Sequence, residues 1–228
     1  MCCSDPLNSQ RHCRHQLDTY TGHIMHRQNK SSSAIKRFRK IGGVVDYTFF
    51  DDVSGGLSAI RLAIAAAIAD IDAHLLEQLD PVAVNKKDFL GDWYDLKSKS
   101  LIKVGDWTLD TGEDLTNPKL RYLEGKKILG GGSGIGEPGT RLGYAYAFSN
   151  PPYSLRSKPS EVEKLFHEIL DIIAPEHDHV NILDWTDPSL KELSSYFSAG
   201  SDWWGMFLFT VLIPSQKKLC VISASTTN

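Results

Sequence analysis

Between Gly130 and Tyr153 the chain carries two residue patterns whose types and spacing could act on a ligand. The first is the glycine run Gly130–Gly139, in which Gly134-Ile135-Gly136-Glu137-Pro138-Gly139 has the G-x-G-x-x-G spacing of a loop that holds phosphates on backbone N–H groups. The second is Ser149-Asn150-Pro151-Pro152-Tyr153, an amide acceptor and an aromatic ring held by two prolines. With Arg141 between them, the ligand-binding candidates are Gly134, Gly136, Arg141, Asn150 and Tyr153.

A dinucleotide loop must follow a strand and open a helix. A strand precedes this one, but Leu142–Phe148 reads as a second strand, with Tyr144, Tyr146 and Phe148 on one face. Pro138 also removes a backbone donor, and no G-x-x-x-x-G-K sequence occurs. The context predicts a loop joining two strands, its glycines serving positive φ or close backbone approach. Long glycine loops also grip ligands or partners, so that role stays open.

Asn150–Tyr153 resembles a signature of the amino-methyltransferases that modify adenine, cytosine or glutamine nitrogens: Asp, Asn or Ser, two prolines, then an aromatic residue. The resemblance spans four residues. It implies that Asn150 and a proline carbonyl accept hydrogen bonds from a target amino group while Tyr153 stacks on the base. It also implies an S-adenosylmethionine site, which needs its own strand, glycine turn and helix, separated from this motif by several β-α units. The sequence has no alternating β-α series, so the residues themselves predict a rigid Pro-Pro exit from a strand with Tyr153 packed on the fold. No cofactor follows from the residues.

His177-Asp178-His179 is the best metal or acid–base cluster, with His167 and Asp184 in the neighbouring sequence. His177 and His179 could share a metal only on an extended segment, and no third ligand stands at motif spacing; a polar helix-to-strand loop is the expectation. Cys2, Cys3, His12, Cys13, His15, His23 and His26 match no paired C-x2-C arrangement, so no metal is assigned there. Cys220, alone in an apolar strand, reads as a small buried hydrophobe. Trp203 and Trp204 open the last apolar strand. Alternation sends them to opposite faces, and an exposed one beside Tyr196 would anchor a protein partner.

The elements that must position these groups are legible in outline. The chain has 228 residues, 41% hydrophobic and 23% charged, as for a globular protein with a real core. A net charge of −3 gives no basic footprint for nucleic acid, and no apolar run reaches membrane-span length. Residues 1–40 are polar, His-rich and basic, without an apolar period or signal-like core, which predicts a disordered or loosely attached tail and a cytoplasmic protein. Met25 offers a second start position within that tail.

Residues 41–228 are expected to form a single domain. Val44–Phe50 reads as a strand, and Leu57–Leu79 as one long helix capped by Ser54 or Ser58, with an apolar stripe from Leu57 to Leu79. Gly105-Asp106 and Glu124-Gly125 read as hairpin turns. Ser160 and Glu163 form a capping box for a helix ending at Pro175. A strand Val180–Trp185, a helix opened by Asp187-Pro188 and running through Phe197, and a closing hairpin, Trp204–Ile213 with Leu219–Ser225, complete the order. The fold class is α+β, a mainly antiparallel sheet built from hairpins and packed by one long helix and two shorter ones.

No complete catalytic constellation emerges, and the composition is acidic and rich in aromatics. The functional expectation is therefore a protein-binding domain, adaptor- or inhibitor-like, whose partner is another protein. The alternative is a small-molecule-binding protein or transferase, an amino-group methyltransferase among them, with a site formed by Gly130–Gly139 and Asn150–Tyr153.

Overall fold

The computed structural model describes residues 25–29, 31–133, 141–198, 200–201 and 204–225. In chain order they form β1 (His26–Arg27), α1 (Ser33–Lys40), β2 (Val45–Asp51), α2 (Leu57–Ala67), α3 (Ala73–Gln78), β3 (Val82–Val84) and α4 (Lys86–Leu90). Next come β4 (Tyr94–Asp95), β5 (Ser100–Leu101), β6 (Asp106–Leu109), β7 (Asp114–Thr116), a 3-10 turn at Leu120–Leu123, and β8 (Ile128–Gly132). The last part comprises α5 (Tyr144–Ser149), α6 (Pro159–Ile173), β9 (Asn181–Asp184), α7 (Leu190–Leu193), α8 (Ser195–Ser198), β10 (Phe207–Ile213) and β11 (Lys218–Ala224).

The fold is α+β, and its pairings are antiparallel. Six strands form the main sheet in the order β1-β2-β11-β10-β9-β3. The closing hairpin stands where its continuous apolar sequence places it: β10 and β11 are the two central strands, paired from Phe207↔Ala224 to Ile213↔Lys218. Helices cover both faces. Phe209, Val211, Cys220 and Ile222 point into a core with α1, α4, α5 and α6. Leu208, Leu212, Leu219 and Val221 point the other way, into a core with α2, α3, α7 and α8. Period-two alternation of apolar residues on both faces is what a sheet buried on both sides requires.

Several elements differ from the sequence expectation. The folded part starts before residue 41: Ser32 caps α1 by accepting the Ile35 N–H, and α1 buries Ala34, Ile35 and Phe38. Phe38 stacks on Phe148 with centroids 4.0 Å apart, and such burial outweighs the basic residues on the other face of α1. Residues 1–24 of the expected tail lie outside the described residues.

The long helix is broken. Its first half starts at Gly56, without a side-chain cap, and ends at Ile68, which is extended. Asp72 then caps α3 by accepting the His74 and Leu75 N–H groups, while its own N–H donates to the Leu193 carbonyl at 2.7 Å. An Asp that can bond the backbone favours a cap over a helix interior. Asp70, in the break, accepts from Ser194 and Ser195, and Ser194 likewise divides the expected 187–197 helix into α7 and α8.

The hairpin turns also differ. β5 pairs with β4, and β6 pairs with β7 and β8, so Gly105 precedes a three-stranded sheet instead of turning a hairpin. The capping box does not form: the buried Glu163 carboxylate accepts the Leu101 N–H and the Arg121 Nε–H at 2.9 Å, and the Ser160 N–H donates to Glu124. Glu163 gains more from binding a strand and a cation than from its own helix end.

Candidate functional site

The glycine run enters the structure as a strand. β8 is an outer strand of the sheet β7-β6-β8, with Gly130, Gly131 and Gly132 facing Thr108, Trp107 and Asp106. Two glycines permit that pairing. A Cβ on Gly131, at φ +116°, would stand 2.1 Å from the Asp106 carbonyl oxygen, and one on Gly105 would stand 2.1 Å from that of Gly132. The two backbones thus meet where no side chain fits. Gly130 and Gly132 have open space at the Cβ position. They leave the outer side of β8 as bare backbone beside Leu129, which is 65% exposed.

The other sheet edges are blunted. β1 is two residues long. β3 is three residues long and begins directly after Pro81. β7 begins at Asp114 and is followed by Asn117-Pro118. β8 is five residues long, with neither charge nor proline, and among the described residues no strand pairs with its outer side. Short strands, charges and prolines are how proteins protect edges from further pairing, and β8 uses none of them.

Gly134 and Gly136 lie outside the described residues. Beyond them the chain returns at Arg141, whose guanidinium pairs with Asp88 at 2.5 Å and whose backbone N–H donates to Asp92. The expected strand 142–148 is helix α5, buried at every residue from Tyr144 to Phe148. Alternating rings mimic a strand, but here they serve two sides of a buried helix. Tyr144 meets Phe89, Phe148 and Phe166, while Tyr146 turns away to Trp93 and Trp204.

Asn150 caps the end of α5, and its carbonyl accepts the Trp204 indole N–H at 2.7 Å. Its side chain hydrogen-bonds Tyr146, partly offsetting the burial that raises that phenol's pKa. Pro151 is buried, and Tyr153 is 63% exposed, in contrast to the packed ring expected. The structure thus separates the two prominent residues of this motif: Asn150 is engaged within the fold, and Tyr153 faces outward.

The aromatic candidates divide as well. Trp203 lies outside the described residues. Trp204 is buried against Tyr146 and Phe207, so it is a core residue and not an exposed anchor. Tyr196 is half-buried, its hydroxyl directed at Asp46. Burial and the Asp46 carboxylate push its pKa up. His177 and His179 are both exposed, while Asp178 between them accepts from Ser215 and Gln216 and ties this loop to the β10–β11 turn. Among the described residues no three His, Cys, Asp or Glu side chains converge to hold a metal.

Lys103 was not legible as a special residue. Its ammonium lies 4.2 Å from the Trp107 ring centroid and 6.0 Å from that of Trp93, and burial lowers its pKa while the ring faces attract the cation. The four-residue spacing of Lys103 and Trp107 around Gly105 is the sequence signal that could have found the pair.

No known protein family, curated protein or solved structure matches this chain. No described helix is long and apolar enough to cross a membrane.

Proposed function

We propose that this chain is a protein-binding domain, adaptor- or inhibitor-like, that takes an extended segment of a partner protein onto the outer edge of β8. The observation that carries the reading is the unprotected edge Ile128–Gly132, the longest outer strand of the small sheet and free of charge and proline. Strand addition draws affinity from main-chain hydrogen bonds and specificity from alternate side chains. Gly130 and Gly132 leave the approach clear for a second backbone, and Leu129 offers an apolar contact. Lys127, directly before β8, favours a partner segment with an acidic end antiparallel to it.

A display selection of extended peptides against the full chain tests this reading. Selected peptides should protect the β8 amides from hydrogen exchange. Leu129→Lys, which installs the charge that natural edges carry, should weaken them at least tenfold with an unchanged melting temperature. Peptides that bind Leu129→Lys as well as the original chain would overturn the assignment.

A further inference from the structure

Lys103 stands in the short link between β5 and β6. Its backbone is fixed on both sides: the N–H donates to the Pro118 carbonyl at 2.9 Å, and the carbonyl accepts the Trp107 indole N–H at 3.2 Å. The side chain runs beside two indoles, its ammonium 4.2 Å from the Trp107 ring centroid and 6.0 Å from that of Trp93. Trp93 belongs to the core, whereas Trp107 is half-buried.

Other lysines held against the fold engage oxygen. Lys86 donates to the Ala174 carbonyl, Lys99 to Glu176, and Lys126 pairs with Glu113. The Lys103 amine has no hydrogen bond and no ion pair among the described residues, and its contacts are the two ring faces. An ammonium carries three donors, and here all three lack a protein acceptor. Burial disfavours the charged form and lowers the pKa from the ordinary 10.5, while the indole faces favour the cation. Burial is the one cause of the downward shift, and neither a carboxylate nor a second cation contributes to it. The nitrogen is nonetheless open to reagents. Lys103 is half-buried, and the fully enclosed polar side-chain atoms without partners among the described residues are those of Ser31, Arg61 and Trp93.

We propose that Lys103 is a nucleophilic amine that condenses with small apolar aldehydes. A lysine desolvated by apolar neighbours is how proteins prepare an amine for carbonyl chemistry. The neutral nitrogen gives its lone pair to the carbonyl carbon, and the C=O π pair moves to oxygen. Both nitrogen protons pass to that oxygen, the C–O bond breaks, and water leaves a C=N bond behind. Nothing is oxidised or reduced. The Trp107 ring supplies an apolar wall beside the reacting atom. The site is separate from the outer side of β8 and does not depend on strand addition there.

The probe is benzaldehyde with sodium cyanoborohydride, added to the full chain at neutral pH, with each lysine followed by peptide mass spectrometry. The hydride traps the imine as a stable secondary amine. Lys103 should be labelled roughly threefold or more faster than Lys97 and Lys119, which are exposed. Access alone predicts the opposite order. The preference should shrink as pH rises toward 10.5, because ordinary lysines then lose their protons too. Lys103→Arg keeps a cation over the Trp107 ring, so it should erase the fast site and hold the melting temperature. Labelling of Lys103 no faster than that of Lys97 and Lys119, or a preference that stays constant with pH, would overturn the assignment.

Discussion

The Trp204 indole N–H donates to the Asn150 carbonyl at 2.7 Å, fastening the end of α5 to the chain entering β10. The bond uses the backbone of Asn150, so it survives truncation of the side chain. Asn150→Ala should therefore cost at most about 1 kcal/mol, the worth of its single side-chain hydrogen bond. Trp204→Ala removes a buried ring and should cost about 3–5 kcal/mol. Urea denaturation of both variants checks the pair. A large loss in Asn150→Ala would show that its side chain, and not its carbonyl, holds the junction.

The glycine run should divide under substitution. Gly131→Ala must accommodate a Cβ where the Asp106 carbonyl now stands, at a φ that non-glycine residues rarely adopt. The strain alone is worth about 1–3 kcal/mol. Gly130→Ala enters open space, and its effect should stay within about 0.5 kcal/mol. Equal losses at the two positions would contradict the pressed β6–β8 backbones.

The parts of this fold that were legible in sequence are those in which one local signal met no competitor. Strands β2, β9, β10 and β11 combine apolar runs with turn residues at their ends, and they occupy the expected segments within a few residues. The misread parts turn on side chains serving distant elements. Tyr144, Tyr146 and Phe148 alternate like a strand because α5 is buried on two sides, which no window of sequence displays. Asp70 and Asp72 break a helix by binding Ser194, Ser195 and the Leu193 carbonyl, more than a hundred residues away. Gly130–Gly132, the second half of β8, reads as loop because glycine lowers strand propensity, whereas here glycine is what lets the two strands approach.

Glu163 gives a third test. Its carboxylate is buried and bonded to Leu101 N–H and Arg121, neither of them in α6. Glu163→Ala should cost about 1.5–3 kcal/mol, as expected for hydrogen bonds to a charged group. A double-mutant cycle with Ser160→Ala should show coupling near zero, because the two side chains have no bond in common. Coupling of about 1 kcal/mol would restore the capping box.

Asp184 sets the pH dependence at the end of β9. Burial raises its pKa above the ordinary 3.8, although the Thr186 N–H and the Arg141 charge partly oppose the shift. A carboxyl with a raised folded-state pKa holds its proton more tightly when folded, so it favours the folded state at low pH. That contribution is lost as pH rises from the unfolded value through the folded one. Asp184→Asn removes the charge and keeps an acceptor for Thr186. It should stabilise the protein at neutral pH, and the gain should fade as pH drops toward 3.8. Melting curves of both proteins between acid and neutral pH check the sign. If Asp184→Asn is destabilised at neutral pH, burial does not dominate at this carboxylate, and the Arg141 charge and the Thr186 bond do.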